Sequence, residues 1–316
     1  MADQVPALAV CTVAMSADAP VARLLDALRD QVVTPGDLEV VVVDATPDGT
    51  FARAADGRAE TVHVLRGDPF AAPGRLLDAA WQASTAPGVG FLSVEALPAT
   101  TWAEVMLRTL ARGRHVVGGS WLPITDGGGP FGPASFRLWS TGHEVPLVSA
   151  DNMACLRADL ERVGGFGDEQ DADVRDTRLA ARLVDAGADP VWVPAFASHE
   201  VDGDLTLGTM LRERSRVGPM LEVLSDHPRA RARLLVGGLL WNRRHAFTLL
   251  ALLGLVLGRK DRRFVLLGAP WVHERTCKAP RAGGPRRRWF VLPGVLALDS
   301  YDAISTTFAR LRRPTR

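Results

Sequence analysis

The stretch Leu38-Glu-Val-Val-Val-Val-Asp44-Ala-Thr-Pro-Asp48-Gly-Thr50 decides the fold. Its unbroken run of valines shows no polar alternation, so it reads as a parallel strand buried on both faces, and the Pro-Asp-Gly behind it is turn chemistry. Ligands of open α/β sheets bind beyond the carboxyl ends of the strands, which puts Asp44 and Asp48 where a small molecule would be held. As a strand-end ligand residue, Asp44 is expected to face solvent and carry little packing. The same residue could equally cap a following helix.

Outward from this strand the pattern alternates. Ala7–Ala14 is an apolar strand, and Val21–Gln31 follows as a helix with Leu24, Leu25 and Leu28 at helical spacing. Thr61–Leu65 is a short strand, Ala72–Ser84 a helix with Leu76, Leu77, Ala80 and Trp81 on one side, and Gly88–Val94 a further strand. Glu95 leaves that strand as Asp44 leaves its own, so two carboxylates face one crevice. A helix over Thr101–Arg112 and a strand over His115–Gly119 complete an α/β half of the doubly wound, mostly parallel type, with helices flanking the sheet. The alternation breaks at Trp121–Val145, where Asp126-Gly-Gly-Gly-Pro130 and neighbouring prolines predict a long loop of the kind that usually carries function. Beyond it come a strand at Leu147–Leu156, a helix at Arg157–Val163, a break at Gly164-Gly165-Phe166, a helix at Asp173–Ala186 and a strand at Val191–His199. Asp176 falls near the first turn of the Asp173 helix, where a carboxylate is favoured by the helix dipole whether or not it has a function. His199 taken alone also reads as an ordinary half-buried histidine.

With 316 residues and 47% hydrophobic composition the chain can bury a large core. Cys11, Cys155 and Cys277 are far apart and in no Cys-x-x-Cys spacing, which argues against a disulfide framework or a zinc site. The opening Met-Ala-Asp-Gln-Val-Pro has neither a basic nor a long apolar region, so a cytoplasmic location is expected.

Charge is unevenly spread. From Arg243 onward there are 16 Arg and Lys against 4 Asp and Glu, although the whole chain is only +1, so an acidic body carries a basic tail. The tail is expected to be helical from Arg229 to Leu257 and includes the apolar run Ala246–Leu257 between Arg243-Arg244 and Arg259–Arg263. That run is shorter than the roughly 20 residues a spanning helix needs. It suits a helix lying on a membrane surface, or one buried in a core or partner interface. Basic clusters recur at Arg286–Arg288 and Arg310–Arg316 and would suit anionic lipid, placing the chain peripherally at the inner face of the cell membrane. No helix-turn-helix, RRM or zinc-finger signature accompanies the charge, so nucleic acid is not expected as a partner. The division expected is a catalytic domain over 1–228 and a basic, helical, membrane-associated extension over 229–316.

The order of these motifs resembles the family 2 glycosyltransferases of the glycosyltransferase A-type fold, over roughly Leu8 to Val217. Leu38–Thr50 is similar to that family's strand and "VVD-x-S-x-D-x-T" turn, and Phe91–Pro98 stands where the family has its "FLDxDxxP" metal motif. Ser149-Ala-Asp-Asn152-Met-Ala followed by Gly164-Gly165-Phe166 resembles the acceptor-side segment, Arg175-Asp176-Thr-Arg-Leu179 the "E-D-x-x-L" helix start, and Ser198-His199 the strand-end His. The resemblance implies a transferase that moves a single sugar, with inversion, from a nucleotide-sugar donor to a hydroxyl acceptor. Asp176 would be the catalytic base. Thr12, Val13, Asp44, Asp48, Asp78, Ser93, Val94 and Glu95 would line the donor site, Trp121, Asn152 and Arg175 would lie on the acceptor side, and Glu95 with His199 would hold Mg²⁺ or Mn²⁺.

The sequence also departs from the family. Ser93 and Glu95 replace the two metal-motif aspartates, Leu77-Asp78 falls at an "RN" pair, and Arg175 replaces the Glu before the base, either turned into the site to neutralise diphosphate or solvated on the helix. No "Q-x-x-R-W" motif follows, since Arg212-Glu-Arg-Ser-Arg-Val-Gly218 occupies its place, so one sugar per encounter is implied. Leu266–Trp271 and a helix over Leu296–Leu311 resemble the membrane-associated extension of some actinobacterial members and suggest a lipid-linked acceptor. The same substitutions would also suit a catalytically impaired relative acting as a binding or scaffold protein. A nucleotidyltransferase would require a glycine-rich phosphate loop after the first strand, and Val13-Ala-Met-Ser-Ala-Asp18 is not one.

Overall fold

The computed structural model describes residues 7–34, 36–51, 62–124, 149–200, 217–238, 240, 243–277, 292–301 and 303–304, except the side chains of 120–124, 199, 200 and 277. The described chain divides into two compact units, one formed by residues up to Leu122 together with 149–200, the other by Pro123, Ile124 and the residues from Val217 onward.

The first unit alternates as β1 (Leu8–Ala14), α1 (Val21–Arg29), β2 (Leu38–Asp44), β3 (Val62–Arg66), α2 (Pro73–Gln82), β4 (Gly88–Leu92), β5 (Leu97–Pro98), α3 (Trp102–Ala111), β6 (Val116–Ile124), β7 (Asn152–Leu156), α4 (Arg157–Val163), α5 (Ala172–Asp185) and β8 (Pro190–Glu200). Its eight strands form one mixed sheet in the order β3-β2-β1-β4-β7-β6-β8-β5. The β3-β2-β1-β4 half is parallel, and β7 then runs antiparallel to both β4 and β6. This is an α/β fold with helices on both faces of the sheet. Leu8, Val10, Val40 and Val42 point to one face, where Leu24 and Leu28 of α1 and Trp102 and Met106 of α3 cover them. The alternate residues point to the other face, where α2 packs on β1 and β2. Gly90 is required for this packing, because a Cβ there would come within 2.9 Å of the Trp102 ring.

β6 continues to Ile124, so Trp121 sits on a strand rather than at the start of a loop. Gly118-Gly119 reads as a strand end but is a packing device. A Cβ on Gly118 would lie 2.4 Å from the Trp192 ring, and one on Gly119 would lie 2.1 Å from Asn152 Oδ1. The predicted Asp126–Pro130 loop lies outside the described residues.

The second unit contains α6 (Val217–Asp226), α7 (Pro228–Leu234), α8 (Arg243–Leu257), a 3₁₀ helix (Arg262–Gly268), α9 (Ala269–Cys277) and α10 over 292–301. The single helix expected from Arg229 to Leu257 is therefore two. Leu235 leaves α7 in an extended conformation, and Gly237 and Gly238, at φ 62° and 65°, take the left-handed turn through which Val236 bridges back to Leu240. Ala251, Trp271, Leu292 and Val295 make a small core, closed by Asp299, which accepts hydrogen bonds from Trp271 Nε1 and the Arg275 guanidinium. Among the described residues no helix is long and apolar enough to cross a membrane. The basic clusters at 286–288 and 310–316 lie outside the described residues.

Candidate active site

The parallel half of the sheet brings the exits of β1, β2 and β4 to one edge, and the antiparallel β7 begins at that edge, with Asn152 paired to Leu92. Ser93, just past β4, donates its N–H to Asp151 O at 3.0 Å. Ser149 Oγ lies 3.2 Å from Asp176 Oδ2, and Ala150 N donates to the same oxygen at 2.9 Å. The β4 exit, the segment before β7 and α5 thus converge on Asp176.

Asp176 is not in the first helical turn. α5 starts at Ala172 behind Asp171, whose side chain caps the backbone N–H groups of Asp173 and Val174, so the dipole acts on Asp173 and has faded by position 176. Asp176 is instead oriented by its partners from the segment before β7 and by Arg175, whose Nε donates to Oδ1 at 2.8 Å. Burial pushes the Asp176 pKa up to about 6 against the opposing pull of Arg175, with Asp151 adding a further upward push and the Ala150 N–H a downward one. Such a carboxylate is poised to take a proton near neutral pH. Arg175 is not a solvated helix residue. It is 5% exposed, with its guanidinium 5.6 Å from the Phe166 ring centroid.

Phe166 is held in turn by Asp78. Asp78 Oδ1 accepts from Phe166 N and Trp81 Nε1, both at 2.8 Å, and Oδ2 accepts from Gly167 N at 2.9 Å. Gly165, at φ 65°, has no room for a side chain because a Cβ would meet Asp78 Oδ1 at 2.1 Å. Asp78 was expected among the donor ligands, and its oxygens clamp the turn that carries Phe166.

Asp44 corrects its own expectation. It is 0% exposed and closes the loop behind β2, accepting from Thr46 N at 3.0 Å, Thr46 Oγ1 at 2.5 Å and Phe51 N at 2.8 Å. Arg66 Nη1 stands 3.7 Å from Oδ1, while Arg66 Nη2 donates to Pro47 O at 2.8 Å. Asp48 is exposed on this loop. Thr12 is buried with no partner for Oγ1, and Val13 is half-buried beside it on β1. Ser93 and Val94 are half-buried and Glu95 is exposed at the β4 exit.

Asn152 stands apart from this edge. It is 1% exposed, accepts from Trp102 Nε1 at 2.8 Å and donates to Ala195 O at 3.3 Å, which ties β7 to α3 and β8 inside the core. The side chains of Trp121 and His199 lie outside the described residues. Among the described residues no three His, Cys, Asp or Glu side chains converge as a metal would require. Cys11 and Cys155 are buried free thiols, with pKa values pushed well above the ordinary range by desolvation.

Three residues given no role by the sequence reading join the site. Ser149 and Asp151 flank the approach to Asp176, and Arg66 braces Asp44. For Ser149 the signal lies in its spacing from Asn152, whereas nothing local marks Arg66.

The fold is one used by glycosyltransferases. The mannosyltransferase PcManGT from Pyrobaculum calidifontis, solved with GDP-Man and Mn²⁺, superposes with TM-score 0.59 at 17% identity over 98% of this chain and 88% of its own. TarS residues 1–349 from S. aureus superpose with TM-score 0.54 at 13% identity over 98% of this chain and 93% of theirs, and the same protein with UDP gives 0.53. No protein-family model and no curated protein matches the chain.

Proposed function

We propose that this chain is a nucleotide-sugar-dependent glycosyltransferase of the family 2, actinobacterial type that moves one sugar per encounter, with inversion, to a hydroxyl acceptor. The observation that carries the reading is Asp176, a carboxylate fixed by three donors, Ser149 Oγ, Ala150 N and Arg175 Nε, and raised to a pKa of about 6. In the proposed step Asp176 takes the acceptor hydroxyl's proton, the acceptor oxygen bonds to the sugar's anomeric carbon, and the bond to the nucleoside diphosphate breaks. Arg175 is assigned to tuning Asp176, because its Nε is committed to that carboxylate. The two solved neighbours carrying GDP-Man and UDP support a nucleotide-sugar donor, which the Asp44 loop, Thr12, Val13 and the Ser93–Glu95 exit would receive.

The Mn²⁺ of the mannosyltransferase supports Mg²⁺ or Mn²⁺ use. Here the cation would draw on Glu95 and His199 and would supply charge for diphosphate departure. The catalytic domain is assigned to 1–228 and the extension to 229–316, at the inner face of the cell membrane and acting on a lipid-linked acceptor. The test is release of nucleoside diphosphate from a panel of nucleotide sugars by wild type and Asp176→Asn. Transfer by the wild type alone, with donor affinity kept in the variant, is the expected result. Equal activity moves the base elsewhere, and binding without turnover makes the chain a scaffold.

A further inference from the structure

The second unit contains a helical element that is apolar on two opposite sides. α8 and the 3₁₀ helix form an antiparallel hairpin. A Cβ on Gly258 would lie 2.8 Å from Val265, one on Gly254 2.7 Å from Phe264 O, and one on Gly268 3.7 Å from the Ala251 Cβ. The small residues Ala251, Gly254 and Gly258 therefore make the inner seam, which lets the two pieces approach closely.

Among the described residues nothing covers the outer side of α8. Leu249, Leu250, Leu253 and Val256 recur at helical spacing with exposures of 36, 38, 47 and 63%, and on the 3₁₀ helix Phe264, Val265 and Leu266 are exposed as well. At the hairpin tip Arg259, Lys260, Arg262 and Arg263 are all exposed, against the single carboxylate of Asp261, which caps the 3₁₀ helix through Arg263 N at 2.9 Å. None of the four cations has an acidic partner among the described residues.

We propose that this hairpin is an interfacial anchor for an anionic phospholipid bilayer, with the exposed leucine and valine side chains of α8 entering the acyl boundary and the tip cations meeting the lipid phosphates. The element is too short to span, so insertion is in the plane of the surface. Charge favours lipid over a second copy of the chain, since a copy laid on this face would bring no carboxylate of its own α8 to the four tip cations, whereas anionic headgroups neutralise them. The inference is independent of glycosyl transfer, because it uses no residue of the first unit.

The experiment is co-sedimentation of the full chain with phosphatidylcholine vesicles, with and without phosphatidylglycerol, at low and raised salt. Two variants are compared with wild type, Leu249→Ser/Leu250→Ser/Leu253→Ser and Arg259→Gln/Lys260→Gln/Arg262→Gln/Arg263→Gln. All seven changes fall on exposed side chains, and the thermal midpoint and elution volume report folding separately. The wild type should bind phosphatidylglycerol vesicles in a salt-sensitive manner, and each variant should lose roughly a hundredfold in affinity. Wild type that stays in the supernatant overturns the proposal. So does a serine variant that binds like wild type, which would leave charge alone at work, and so does a wild-type dimer that the serine variant dissociates, which would make the face a contact between copies.

Discussion

Arg175 and Asp176 are sequence neighbours on α5 whose side chains turn back on one another, Nε to Oδ1 at 2.8 Å, although both are closed off from solvent. The pair opposes the effect of burial, since Arg175 draws the Asp176 proton affinity down while desolvation drives it up. The acid limb of turnover should therefore fall near pH 6, with activity rising as Asp176 loses its proton. Asp176→Asn should lower the rate by about 10² to 10⁴ and remove this limb, as read from the pH dependence of kcat/KM.

Arg175→Gln removes the main downward influence on Asp176 and leaves burial unopposed. The acid limb should move to higher pH, while the affinity for nucleotide stays close to wild type. A limb that does not move would detach Arg175 from the proton chemistry.

The same pKa has a stability counterpart. The folded value of about 6 lies above the ordinary 3.8, so the native state holds this proton more tightly than the unfolded chain. Asp176's contribution is full below the ordinary value and is lost as pH rises through about 6, by at most on the order of 3 kcal/mol. Urea unfolding on either side of that pH should show the slope in wild type and a flatter dependence in Asp176→Asn.

Asp44→Ala should now unfold more readily, by roughly 1.5 to 3 kcal/mol, because a buried carboxylate and three donors lose one another. Asp44→Asn, which keeps the shape, should lose less. A fully stable Asp44→Ala by denaturant titration would refute the closing role of this loop.

Metal use is read by stripping the protein with chelator and titrating Mg²⁺ or Mn²⁺ back. Glu95→Gln should demand more cation for the same turnover. Identical titrations for the variant and wild type would remove Glu95 from the metal's surroundings.

What was legible in the sequence follows the range of the forces involved. The valine run of β2 announces itself because burial on both faces excludes polar residues, and α5 shows its apolar stripe for the same reason. The Gly118-Gly119 pair misleads because the residues that demand glycine there, Trp192 and Asn152, come from distant strands. Asp176 is legible as a motif residue, but its orientation is not, since Ala150 and Ser149 reach it from across the fold. The burial of Asp44 could have been read in part from Thr46, two residues on, while the contribution of Arg66 on β3 could not. The break at Gly237-Gly238 was present in the letters and is masked by the helical spacing on either side.

The Asp78 clamp places part of the site's chemistry under remote control. Asp78 never meets Asp176, yet it fixes the backbone of Phe166, whose ring lies against Arg175, which in turn pairs with Asp176. A drift at a residue on α2 can thus retune the working acidity of a group on α5 through two intervening side chains, Phe166 and Arg175.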